Sequence, residues 1–168
     1  MKSERISLWV RTGVFAALIC AATMLVQIPM PATGGYANAG DGVILTCAFL
    51  LSPISAAIAA GVGSAMADLL LGYVIYAPAT LIIKGGMALL GGLLLRRMGK
   101  AKPHVAYPLS VLAAECVMVL GYLIYESLIL GLGMGALGSV MGNIGQGIVG
   151  VLIACAVTPV LKKAKMFR

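Results

Sequence analysis

The sequence predicts an all-α integral membrane protein: a bundle of six transmembrane helices in a single domain spanning residues 1–168, with the N- and C-termini cytoplasmic. Three observations carry that expectation. Hydrophobic residues make up 61% of the chain and charged residues 10%, far outside the range of soluble domains. The apolar residues come in runs of about 20, the length that crosses hydrocarbon as a helix, and the two-residue alternation of a membrane barrel strand is missing. Of the twelve Lys and Arg residues, all but Lys84 sit in three clusters at the ends of apolar runs. Lys2, Arg5 and Arg11 precede the first run, Arg96, Arg97, Lys100 and Lys102 form a middle loop, and Lys162, Lys163, Lys165 and Arg168 form the tail. The net charge of +7 therefore reports membrane topology rather than nucleic-acid binding.

The first span covers residues 9–28 and is closed by Pro29 and Pro31. Ala37-Asn38-Ala39 is similar to a small-residue cleavage site, but the apolar run is too long, and the site too far downstream, for a signal peptide. Gly13, Ala17 and Ala21 recur every four residues and make a smooth strip for close helix packing, inside the bundle or against a partner. A glycine-rich polar loop follows, Gly34 to Gly42, carrying Tyr36, Asn38 and Asp41. It is suited either to folding over a small polar ligand as a lid or to serving as a tight connection.

Residues 43–71 are apolar apart from Ser52-Pro53 and Asp68, and the charge clusters decide how they are divided. One long helix would put the N-terminal cluster opposite the other two. A turn at Ser52-Pro53 gives spans at 42–51 and 54–71 and brings all three clusters to the cytoplasmic side. The 42–51 span is short for a bilayer. The 54–71 span repeats the small-residue spacing at Ala57, Gly61 and Ala65. The remaining spans are 79–95, 107–125 and 139–161, the last two joined by a connection bearing Gly131, Gly133, Gly135 and Gly138. Cys20, Cys47, Cys116 and Cys155 lie singly in apolar runs, without metal-ligand spacing, and read as core-filling thiols.

Polar groups inside spans are costly and therefore candidates for function. Thr80, Lys84, Met87 and Gly91 share one helical face; Glu115, Val119, Tyr122 and Glu126 share another; Ser139, Asn143, Gln146 and Gly150 share a third. Three such stripes facing one interior build a pocket that hydrogen-bonds a flat, heteroatom-rich molecule. A structural Lys84–Glu115 ion pair and a helix-to-helix hydrogen bond at Asn143 and Gln146 are the plainer alternatives. Asp68 and Asp41 suit capping or bracing as well as ligand contact. No catalytic residue, metal or cofactor is implied. His104 is the single histidine and lies in the basic loop away from every carboxylate, and no phosphate-binding glycine loop occurs.

The chain as a whole resembles a substrate-binding S component of an energy-coupling factor (ECF) vitamin transporter, in the branch of riboflavin-, hydroxymethylpyrimidine- and pyridoxine-type carriers. The resemblance rests on Gly35-Tyr36-Ala37-Asn38-Ala39-Gly40-Asp41, the stretch from Gly61 to Asp68, Thr80 to Gly85, Ala114-Glu115 with Gly121-Tyr122 and Tyr125-Glu126, and Gly142 to Gly147. It implies six helices in a bacterial plasma membrane and a vitamin bound near the outer surface. It also implies docking on a membrane T component driven by two ATPase subunits, with Ala17 and Ala21 at that interface. Substrate contacts are then expected from Tyr36, Asn38, Asp41, Lys84, Glu115, Tyr122, Glu126, Asn143 and Gln146. The rival expectations are a stand-alone proton-coupled carrier using Glu115 and Glu126 as a relay, and an intramembrane enzyme, which lacks a base and a metal cluster.

Overall fold

The computed structural model describes residues 2–99 and 103–163, without the side chains of residues 2–4, 103 and 104. Lys100, Lys102, Lys165 and Arg168 of the basic clusters lie outside the described residues, as do the side chains of Lys2 and His104. The elements are α1 (Lys2–Leu25), a hairpin of β1 (Gln27–Met30) and β2 (Gly35–Asn38), α2 (Gly40–Leu50), α3 (Pro53–Leu71), α4 (Ala77–Met98), α5 (Pro103–Ile124) and α6 (Leu137–Lys163). A π-helical turn, Tyr125–Ile129, extends α5, and a 3₁₀ turn, Gly133–Ala136, leads into α6. Five helices are long and apolar enough to cross a membrane; α2, with 11 residues, is not.

The break between α2 and α3 falls where Ser52-Pro53 predicts it. Ser52 caps α3 by accepting a hydrogen bond from the Ser55 N–H at 3.2 Å, and Pro53 takes the first helical position, where its missing donor costs nothing. Arg96, in the last turn of α4, donates to the Leu51 carbonyl at 2.7 Å and satisfies the end of α2. Because α2 begins at the depth of Lys84 and ends near Arg96, it fills only the inner part of the bundle, about 16 Å at 1.5 Å per residue. The outer part above it is occupied by the hairpin.

That hairpin corrects the expectation of a loop over residues 34–42 and ends α1 at Leu25 rather than residue 28. β1 and β2 pair antiparallel, Gln27 opposite Asn38 and Met30 opposite Gly35. The turn closes with the N–H groups of Thr33 and Gly34 donating to the Met30 carbonyl at 3.2 and 3.0 Å, and Gly34 takes φ of 70°. Pro29 is tolerated because β1 is an edge strand.

The core is built from Phe15, Ile19, Ile44, Leu45, Met87, Met118 and many alanines. The backbones of α1, α3 and α4 approach closely through glycine. A Cβ on Gly61 would meet the Leu81 carbonyl oxygen at 2.6 Å, and one on Gly63 would run into the Ala16 carbonyl. Leu, Ile and Val side chains cover the outside, as a lipid-facing surface requires. Cys47 is a core thiol as expected, whereas Cys116 and Cys155 face outward.

Candidate functional site

Below the hairpin, α1 contributes Thr23, the hairpin Met30, Gly35, Tyr36 and Asn38, and α3 Ser64 and Asp68 to one small polar cavity of about 20 Å³. The other wall is Tyr76, Thr80 and Lys84 of the α4 end, Tyr122 and Glu126 of α5 and its π turn, and Asn143 and Gln146 of α6. Two networks frame this space. In the deeper one, the Lys84 ammonium pairs with Asp41 Oδ1 in the first turn of α2, at 2% and 0% exposure. Gln146 Nε2 donates to the second Asp41 oxygen at 2.6 Å, and Gln146 Oε1 accepts the Asn38 backbone N–H at 2.7 Å. Asn38 Oδ1 in turn accepts the Gly40 N–H at 2.9 Å. The hairpin is thereby tied to α2, α4 and α6 through a network whose carboxylate sits at the positive end of a helix.

In the outer network, the Tyr76 hydroxyl lies 2.8 Å from the Thr33 carbonyl and 3.2 Å from Glu126 Oε1, and Ser139 donates to Glu126 Oε2. Glu126 follows Tyr122 by four residues, on the same inward face, and is buried at the start of the π turn. Tyr36 donates to Asp68 Oδ1 at 2.6 Å, and its ring stacks obliquely on Tyr73 at 4.4 Å. The Thr80 and Tyr122 hydroxyls are 2.9 Å apart, and the Lys84 ammonium stands 5.5 Å from the Tyr122 ring centroid. Burial pushes the Tyr76 phenol up to about 12, so it remains a neutral donor at physiological pH.

Four polar atoms lining the cavity have no hydrogen-bond partner among the described residues: Thr23 Oγ1, Ser64 Oγ, Asp68 Oδ2 and Asn143 Nδ2. Two carboxyls, of Asp68 and Glu126, line the cavity together with the Lys84 ammonium. Such an enclosure suits a small molecule rich in hydrogen-bond donors.

A family model for the ECF-type riboflavin transporter S component matches residues 4–163. The chain belongs to that family. An uncharacterized protein in the gap 3′ region of Pyrococcus woesei is 36% identical over 148 residues, covering 86% of this chain and 95% of the relative. The thiamine precursor transporter HmpT of Lactococcus lactis subsp. cremoris (strain MG1363) is 30% identical over 164 residues, covering 97% of this chain and 92% of that one. S components are multi-pass membrane subunits of vitamin transport systems and not enzymes; they bind a small vitamin and work with a T component and ATPases.

In this S component, seven of the nine expected contact residues line the cavity: Tyr36, Asn38, Lys84, Tyr122, Glu126, Asn143 and Gln146. Asp41 lies just beneath, engaged by Lys84 and Gln146. Glu115 does not line the cavity. It packs against Gly147 and borders an apolar groove of about 610 Å³ between α5 and α6, and both its carboxylate oxygens have no partner among the described residues. The partner of Lys84 is Asp41; Glu115 lies near enough to feel both charges but makes no ion pair or hydrogen bond with Lys84. Thr23, Met30 and Ser64 were not singled out by the sequence; on apolar helices a lone hydroxyl every turn carries no signal of its own. Ala17 and Ala21 are exposed on α1 and border a shallow groove with Val62, Gly63 and Met66 of α3.

Proposed function

We propose that this S component captures a single-ring heteroaromatic vitamin precursor, hydroxymethylpyrimidine or a B6 vitamer, in the cavity beneath the hairpin and delivers it inward. In this reading a membrane T component docks on the Ala17 and Ala21 strip and two ATPase subunits supply the energy. The chain lies in a bacterial plasma membrane with both ends cytoplasmic, α2 and the hairpin together completing one crossing. The observation that carries the reading is the set of four unpartnered polar atoms around one enclosed cavity, since buried donors and acceptors are left unpaired at a cost that a matching ligand removes. At about 20 Å³ the cavity holds little more than a water, so any vitamin requires the hairpin to move, and a single ring requires less of that movement than riboflavin. The name of HmpT, a thiamine precursor transporter, supports the same substrate class.

The test is to purify the protein in detergent after growth in rich medium and identify by mass spectrometry what denaturation releases. A stoichiometric hydroxymethylpyrimidine or B6 vitamer is expected. If nothing co-purifies and a vitamin panel leaves the melting temperature unchanged, the binding role fails. Uptake by vesicles containing this chain alone, collapsing with the proton gradient, would instead favour a carrier built on Glu115, whose unpartnered carboxyl is the feature that suggests it.

A further inference from the structure

Asp68 is firmly hydrogen-bonded on one side only, with Thr80 of α4 and the Lys84 ammonium near enough to act on its charge. Its Oδ1 accepts the Tyr36 hydroxyl of the hairpin, while Oδ2 is buried, lines the cavity and has no hydrogen-bond partner among the described residues. Ser64 lies one helical turn deeper on α3, and its hydroxyl is likewise buried, cavity-lining and unpartnered. The two residues are 3% and 2% exposed. Helical side chains lean toward the N-terminus, which tilts the Asp68 carboxyl toward Ser64 and gives the pair one shared acceptor–hydroxyl edge. A brace for Tyr36 needs only one carboxylate oxygen, so bracing leaves Oδ2 unexplained. Nor does Lys84 supply the missing partner, because its ammonium is taken by Asp41.

We propose that Asp68 is the specificity-determining residue of the cavity and that, with Ser64, it reads the edge of a nitrogen heterocycle that presents an N–H or O–H donor beside a ring-nitrogen, hydroxyl or carbonyl acceptor. Asp68 Oδ2 accepts the donor and the Ser64 hydroxyl donates to the acceptor. The assignment rests on the reading of the cavity as the substrate site and adds a wall, α3, that none of the polar stripes on α4, α5 and α6 supplies. It also links recognition to the hairpin, since the carboxylate that holds the ligand is the one that holds Tyr36.

The test is a cycle between a protein group and a ligand group, read by calorimetric titration in detergent. The probes are three pairs: 4-amino-5-hydroxymethyl-2-methylpyrimidine and its des-amino analogue, pyridoxine and 3-deoxypyridoxine, riboflavin and N3-methylriboflavin. Removing the donor from the bound vitamin weakens wild-type affinity by about 10- to 100-fold, the range for a hydrogen bond to a charged group. In Asp68→Ala that penalty shrinks below about threefold. Ser64→Ala removes a hydroxyl with no partner inside the protein, keeps the wild-type melting temperature and binds the parent vitamin about fivefold or more weakly. An equal analogue penalty in wild type and Asp68→Ala overturns the proposal, as does a wild type indifferent to the donor. Should Asp68→Ala not fold, unchanged affinity in Ser64→Ala overturns it. Wild type that binds none of the three vitamins overturns it together with the substrate site; binding that ignores the donor overturns it alone.

Discussion

Replacing Lys84 by Met removes the one buried cation among the described residues and leaves the Asp41 carboxylate without its ion-pair partner. Breaking a buried pair from one side costs about 3–5 kcal/mol, because the remaining charge stays desolvated. Here Gln146 still donates to Asp41 Oδ2, and the N-terminal end of α2 still offers positive potential, so the lower end applies, about 3 kcal/mol. For a chain of this size that lowers the melting temperature by roughly 6–12 °C. Asp41→Asn in the Lys84→Met background removes the stranded charge and restores about 2 kcal/mol, a coupling typical of contacting partners. Glu115→Gln in the same background restores less than Asp41→Asn, since Glu115 makes no ion pair with Lys84 and only adds like charge near Asp41. Thermal unfolding of the wild type and the three variants in one detergent checks the whole set. Lys84→Met melting within about 2 °C of wild type, or rescue by Glu115→Gln and not by Asp41→Asn, refutes the pairing.

Three further outcomes follow from the geometry. Ala17→Leu with Ala21→Leu fills the exposed groove between α1 and α3 and abolishes uptake in cells, while ligand binding by the purified protein stays within about twofold of wild type. Gly63→Ala drives a methyl group into the Ala16 carbonyl and separates α1 from α3, lowering stability by about 1–3 kcal/mol in thermal melts, whereas Gly13→Ala, with open space around it, changes stability by less than about 0.5 kcal/mol. Tyr76, raised from 10 to about 12 in the folded protein, keeps its proton where the unfolded chain has lost it. Its stabilising share is therefore complete below pH 10 and declines between pH 10 and about 12, and Tyr76→Phe flattens that part of a melting-temperature profile.

Local chemistry was legible wherever one residue type forces a local outcome. Ser52-Pro53 divides α2 from α3 because a cap and a residue without an N–H group can begin a helix but not continue one. The polar phases of α4, α5 and α6 were legible because a helix has a fixed period, and they brought Lys84, Tyr122, Asn143 and Gln146 to one cavity. Depth was not legible. Glu115 and Glu126 share a face, yet one borders the apolar groove and the other the cavity, because phase gives rotation about the axis and says nothing of which neighbour lies at each level. The hairpin was hidden for a different reason. Gln27–Met30 contains a proline and Gly35–Asn38 a glycine, both poor strand formers, and they pair because the space above α2 admits a two-stranded ribbon. The π turn at Tyr125–Ile129 leaves no trace in hydropathy at all.

The polar residues around the cavity fall into two groups with different physical roles. Asp41, Lys84, Gln146 and Glu126 have partners inside the protein, and together they tie the hairpin and four helices to one another. Thr23 Oγ1, Ser64 Oγ, Asp68 Oδ2 and Asn143 Nδ2 have none among the described residues. A residue of the first group contributes to affinity mainly by holding the site in shape, so its loss lowers stability and binding together. In the proposed substrate site one of the second group contributes by what it offers the ligand, and loss of Thr23, Ser64 or Asn143 lowers binding alone, whereas Asp68 also holds Tyr36. Discrimination belongs to the second group: a site built to satisfy a particular donor and acceptor rejects a molecule lacking them more strongly than an apolar pocket rejects a misfit, because the protein's own buried groups then stay unpaired. In the proposed substrate site the number of polar atoms around so small a cavity makes hydrogen bonding, beside size, a determinant of selectivity.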